Sequence, residues 1–233
     1  EFSKDMDYSL IIGGGNVLNS LDALDSLLDY SKNSTEYTIE GVGLEEYHPC
    51  WESKVTGLLD GAKFITVRSE NSAKICRYLG FNCEVRKDFA YNVEFTPTKT
   101  LEDVVGVTFN VNDIIDNCLA LSKICVKIID AGKRILPLIH TNHYFGIDNN
   151  HAAYLLLRGR LAAIGRKYDE ALMTVYPFSR SNPKTVKELL RFYCKVEKVY
   201  TNRYHGFVFS DMTDTPVELI GNDDTKIGDF VDS

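Results

Sequence analysis

The sequence predicts an α/β protein made of two units, each built around a parallel sheet. Three observations carry this prediction. Apolar runs of strand length alternate with longer segments of helical apolar spacing. The apolar runs end in glycine or in a polar cluster, as strands leaving a sheet do. The alternation breaks between residues 91 and 102, where Asn92, Pro97 and the neighbouring lysines and threonines show no periodicity. That break places a boundary near Thr98 to Glu102, between a first unit over 1–100 and a second over 101–233. Strand–helix alternation on both sides favours parallel pairing within each unit.

In the first unit, Tyr8 to Ile12 reads as a buried strand leaving through Gly13-Gly14-Gly15-Asn16. Leu18, Leu21, Leu24, Leu27 and Leu28 have the spacing of a helix that reaches Tyr30. Tyr37 to Val42 is a strand stopping at Gly43, Trp51 to Leu59 a helix stopped by Gly61, and Lys63 to Val67 a third strand. Arg68-Ser69-Glu70-Asn71 opens a helix running to Leu79, with Ser69 or Asn71 as its N-cap. Asn82 to Val85 is a short strand.

The second unit repeats the pattern. Val104 to Phe109 is a strand, Val111 to Ala131 a long helix, and Arg134 to Ile139 a strand exiting into His140-Thr141-Asn142-His143. Asn150 to Ile164 is a helix, Ala171 to Val175 a strand, and Pro183 to Tyr193 a helix with proline near its first turn. Val196 to Tyr200 and Pro216 to Ile220 are the last strands.

The totals narrow the function. The 233 residues are 44% hydrophobic and 25% charged, the profile of a globular protein with real cores. A net charge of −7 argues against a nucleic-acid or anionic-membrane binder. No run approaches the roughly 18 apolar residues of a membrane span, and Glu1-Phe2-Ser3-Lys4-Asp5 does not read as a signal peptide. Cys50, Cys76, Cys83, Cys118, Cys125 and Cys194 form no Cys-x-x-Cys pair. They read as reduced and mostly buried, implying the cytoplasm or another reducing compartment.

The strongest local signal is Thr201-Asn202-Arg203-Tyr204-His205-Gly206-Phe207, which follows a strand. Strand ends in open α/β sheets are ligand sites. Arg203 offers a fork of donors for phosphate or carboxylate, His205 moves a proton near neutral pH, and Gly206 permits close approach. The plainer alternative is a structural arginine with a capping histidine. Gly13 to Asn16 reads equally as a tight turn or as an anion cradle at a helix start, and it is neither a dinucleotide fingerprint nor a Walker loop. Arg68 with Ser69 reads as an anion contact or as a surface arginine over a serine cap. His140 and His143 have metal-like spacing without a third ligand, so His140 reads better as a substrate contact at a strand end. Lys226 follows the last strand among Asp223 and Asp224, in a turn that is either solvated or folded back to the site.

The series Gly13-Gly14-Gly15-Asn16, Gly41-Val42-Gly43, Val67-Arg68-Ser69-Glu70-x-Ser72, Asp88-Phe89-Ala90, His140, Tyr176-Pro177, Arg203-Tyr204-His205-Gly206 and Lys226-Ile227-Gly228-Asp229-Phe230 resembles the polysaccharide pyruvyltransferase family. It runs from about Asp7 to Phe230, and the Arg-x-His-Gly motif with the later lysine is its most recognisable part. The resemblance implies a GT-B-like fold of two Rossmann-like domains facing a cleft. It implies transfer of a pyruvyl group from phosphoenolpyruvate to sugar hydroxyls as a ketal, with phosphoenolpyruvate and a saccharide acceptor as partners. The resemblance implies that Arg203 and His205 act at the donor; Arg68 is expected as a second anion contact, and Gly13 to Asn16 are expected to line the cleft. Neither donor binding nor proton transfer calls for a metal or organic cofactor. The chain is shorter at both ends than the family pattern, from which a first sheet lacking its opening strands is expected, with an exposed edge that a partner or oligomer covers unless the fold is rearranged. A nucleotide-sugar glycosyltransferase of the same fold, and a non-catalytic structural or carbohydrate-binding relative, are the alternatives.

Overall fold

The computed structural model describes residues 8–13, 18, 21–44, 48–100, 103–109, 111–138, 140, 159, 162–163 and 185–220, with side chains left out over 111–119. Described residues up to Asn92 form one compact unit and those from Val93 onward a second.

The first unit carries a four-stranded sheet in the order β1 (Ser9–Gly13), β2 (Glu36–Val42), β3 (Ile65–Val67) and β4 (Glu84–Val85). All of its pairings are parallel. Helices α1 (Leu21–Asn33), α2 (Glu52–Asp60) and α3 (Glu70–Tyr78) connect the strands. Leu24, Ile39, Val55, Leu58 and Val67 form the centre of its core, each fully buried. β1 lies at one edge of the described sheet, with Ile11 64% exposed.

Two local devices shape this unit's strand ends. Gly41 has φ +62°, a left-handed conformation that only glycine adopts without strain. It sits where the register between β2 and β3 shifts, and its N–H bonds the buried Thr66 Oγ1 at 2.8 Å. At the start of α3, Ser69 is the N-cap and accepts from Ser72 N at 3.0 Å. Ser69 Oγ also meets Ser72 Oγ at 3.1 Å, and Ser72 Oγ accepts from Leu44 N at 2.9 Å. This chain of hydroxyls ties the exit of β2 to the entry of α3.

The second unit carries a sheet in the order β6 (Arg134–Pro137), β5 (Val104–Thr108), β7 (Lys198–Thr201) and β8 (Val217–Leu219), again all parallel. β5 is buried along its whole length, as expected of a parallel strand covered on both faces. The connecting helices include α4 (Val111–Asp130), α5 (Val186–Tyr193) and α6 (Tyr204–Met212).

The elements fall close to the expected spans, with informative shifts. α5 begins after Thr185, whose side chain accepts from Glu188 N, so a threonine cap and not a proline starts it. α6 begins at Tyr204, which draws His205 into its first turn. The strand expected at Ala171 to Val175 lies outside the described residues, as do Tyr176 and Pro177. The five described cysteines are all free thiols, Cys76, Cys125 and Cys194 buried and Cys50 exposed.

Replacing Gly41 with alanine forces an L-residue into the left-handed region at the bulge. The expected cost is about 1–2 kcal/mol of stability in the first unit, measured by urea unfolding against the wild type.

Candidate functional site

The second sheet has a reversal of chain order. β5 is followed by β6 on one side, while β7 lies on its other side. In open parallel sheets, ligand crevices form beyond the carboxyl ends of strands at such a reversal. Among the described strands of the first sheet, the order simply follows the chain.

The residues at this reversal are chemically distinctive. Thr108 ends β5 and Thr201 ends β7, and the two are register partners. His140 lies just past β6, on the other side of β5. Thr201 Oγ1 accepts the Arg203 N–H at 2.9 Å and donates to the Arg203 carbonyl at 3.3 Å. That pair of bonds sets the turn from β7 into α6, for which Arg203 is the N-cap. A Cβ on Gly206 would collide with Thr201 Oγ1 and lie 2.9 Å from Thr108 Cγ2. Glycine therefore lets the first turn of α6 seat directly against the ends of β5 and β7.

α6 presents His205 and Phe209 one turn apart, and Phe209 is the hub of a ring cluster. Its ring centroid lies 5.3 Å from His140, 5.7 Å from His205 and 5.8 Å from Tyr193, the first and last edge-on. Tyr193, the last residue of α5, is fully buried, and its hydroxyl meets His140 Nε2 at 2.7 Å. Tyr204 packs edge-on to His205 at 5.5 Å.

The electrostatics follow from this packing. Burial pushes the His140 imidazole well below its ordinary value, and the charges of Arg203 and His205 push it further in the same direction. Burial raises the Tyr193 phenol well above its ordinary value, partly opposed by Arg203. Both groups are thus held neutral beside a guanidinium at the positive end of a helix dipole. Three buried polar atoms here, Thr108 Oγ1, His140 Nδ1 and Asn202 Oδ1, have no hydrogen-bond partner among the described residues. Such atoms are costly unless something satisfies them.

The second unit therefore gathers three of the residues singled out from the sequence: Arg203, His205 and His140. The first unit holds three others at its own strand ends. Arg68 follows β3, is 4% exposed, and bonds through its N–H to the Val42 carbonyl at 3.1 Å. Ser69 is buried as the α3 cap. Gly13 ends β1, where a Cβ would come within 2.9 Å of Phe89 Cε2 and 3.2 Å of the Glu40 carbonyl, so its small size makes room for an aromatic ring. Gly14, Gly15, Asn16, His143 and Lys226 lie outside the described residues.

The family model for polysaccharide pyruvyl transferase matches residues 2–224. The chain belongs to that family. Among solved structures, a protein of uncharacterised function from Klebsiella pneumoniae subsp. pneumoniae shares the fold with a TM-score of 0.51 at 12% identity. The match covers 96% of this chain and 70% of that one. No curated protein matches the chain in sequence. The family points to a transferase with a polysaccharide acceptor. No described helix is long and apolar enough to cross a membrane.

Within this pyruvyl transferase family member, the site includes residues that sequence patterning did not single out: Thr108, Tyr193 and Phe209. Thr108 left one trace, a polar residue closing the apolar run Val104 to Val107. Tyr193 and Phe209 sit at helical core positions and carry no local mark of a site.

The depressed His140 value has a consequence for stability. Below pH about 6.5 the unfolded chain protonates this histidine while the folded state resists, so the unfolded state binds more protons and stability falls with falling pH. The loss reaches at most about 1.4 kcal/mol per pH unit. His140→Gln removes this component, so the wild type is expected to lose more stability than the variant between pH 7 and 5.5 in urea unfolding. Equal losses would show that His140 titrates normally in the folded protein.

Proposed function

We propose that this chain is a pyruvyltransferase that moves the pyruvyl group of phosphoenolpyruvate onto sugar hydroxyls of a polysaccharide or glycan, forming a ketal. The observation that carries this reading is the joining of Arg203, His205 and His140 at the strand-order reversal of the second sheet, in a chain of the polysaccharide pyruvyl transferase family. The GT-B-like arrangement of two Rossmann-like domains is part of the same proposal.

The residue chemistry supports it. Phosphoenolpyruvate carries a phosphate and a carboxylate, and Arg203, with its planar fork of donors, suits either. The N-terminal end of α6 adds a favourable field for the same anion. Arg68 is proposed as a second cation for the donor, with Gly13 to Asn16 and Lys226 as further contacts. In the reaction, one sugar hydroxyl adds to C2 of the donor as C3 gains a proton. A second hydroxyl then displaces phosphate, and its proton leaves with the phosphate. His205 is proposed to carry one of these protons as general acid or base. The buried rings of Tyr193 and Phe209 pack against His140, and Phe209 also packs against His205.

The test is to supply the protein with phosphoenolpyruvate and candidate glycans and to measure phosphate release and ketal formation. Turnover is expected with wild type. A loss of about 10²–10⁴-fold in kcat is expected for His205→Ala. Arg203→Lys is expected to raise the KM for phosphoenolpyruvate, because a point charge replaces a fork. Unimpaired turnover in His205→Ala would remove His205 from the chemistry. Binding of nucleotide-sugars in place of phosphoenolpyruvate would favour the glycosyltransferase alternative, and silence toward every ligand the non-catalytic one.

A further inference from the structure

We infer that Tyr193 is a positioning residue that holds His140 as the Nδ1–H tautomer, and that this buried N–H is the hydrogen-bond donor for one oxygen of the anionic donor substrate. The ligand half of this inference rests on the function proposed above. The tautomer half stands on the packing alone.

The Tyr193 hydroxyl is buried, and its bond to His140 Nε2 is its sole side-chain hydrogen bond among the described residues. A buried hydroxyl needs an acceptor for its proton. Nε2 supplies that acceptor only if it carries no hydrogen itself. This assignment leaves the hydrogen of a neutral imidazole on Nδ1. The opposite assignment would give Nε2–H to the phenol oxygen and leave the buried phenol proton unsatisfied.

The ring is also kept neutral by its surroundings. His140 packs against Tyr193 and Phe209 and lies close to the charged Arg203 and to His205. A second positive charge there is disfavoured, and the buried phenol does not ionise to offset it.

Nδ1 is buried without a partner among the described residues, at the reversal where Thr108 Oγ1 and Asn202 Oδ1 are also unsatisfied. An N–H in that position donates to an oxygen of the ligand. It does so without adding charge beside Arg203, and a neutral imidazole is an effective donor to an oxygen that gains negative charge. Carboxylate, phosphate and carbonyl oxygens all fit.

The experiment uses ¹⁵N-labelled full chain at pH 7.5 and reads the histidine ring nitrogens by NMR. The wild type is expected to show His140 with hydrogen on Nδ1 and a bare Nε2. Tyr193→Phe, which keeps the buried ring and loses only the hydroxyl, is expected to lose that pattern. Added phosphoenolpyruvate is expected to move the wild-type Nδ1 signal, and Tyr193→Phe to raise its KM about tenfold with a smaller change in kcat. Hydrogen on Nε2 in the wild type would overturn the inference, and so would an unchanged tautomer in Tyr193→Phe. An Nδ1 signal that stays still while calorimetry shows the donor bound would overturn the ligand half. If phosphoenolpyruvate does not bind at all, the proposed function fails, while a Tyr193-dependent Nδ1–H still upholds the positioning role.

Discussion

The close seating of the α6 N-terminus on the ends of β5 and β7 is the constraint on which the site depends. Thr108 and Thr201 are paired across the two strands, and Gly206 leaves no volume between them and the helix. Because the helix starts this close, Arg203 must be its cap and His205 must fall in its first turn. Phe209 then lies one turn further on, where it touches both histidines and Tyr193. A longer connection would free the cation and the imidazole from the sheet edge and from each other.

The same seating separates the roles of two histidines. His140 packs against the rings of Tyr193 and Phe209 beside positive charge, so it is held neutral. His205 is half-buried on the first turn of a helix. One imidazole is thus built into the packing as a fixed hydrogen-bonding group, and the other stands at the helix start beside the N-cap arginine. Aromatic packing therefore sets the surroundings of both imidazoles as well as contributing to the stability of the second unit.

The first unit solves a different problem at its strand ends. Ser69 and Ser72 form a buried hydroxyl chain reaching Leu44 N, and Gly41 takes a left-handed turn that bonds Thr66. Phe89 fills the space that the absent side chains of Gly13 and Gly41 leave. Residues that look like anion-binding elements in the sequence therefore also have local structural duties. Arg68 is likewise buried, at the end of β3.

The fold class was legible in the sequence because its signals are local. Apolar periodicity marked the helices, continuous apolar runs marked the strands, and glycines marked their ends, so most described elements lie within a few residues of expectation. The placement of Arg203 and His205 together past a strand was legible because they are neighbours in the chain. The order of the second sheet was not legible, since nothing local says that β7 pairs with β5 and not with β6. Nor was the contact of Tyr193 with His140, two residues far apart in the chain that only the packing of α5 and α6 brings within 2.7 Å. The sequence by itself determined which residues carry charge and protons. The tertiary structure decided which imidazole is held neutral, what its nitrogens face, and where the strand order reverses, because packing and pairing between distant segments exist only once the chain is folded.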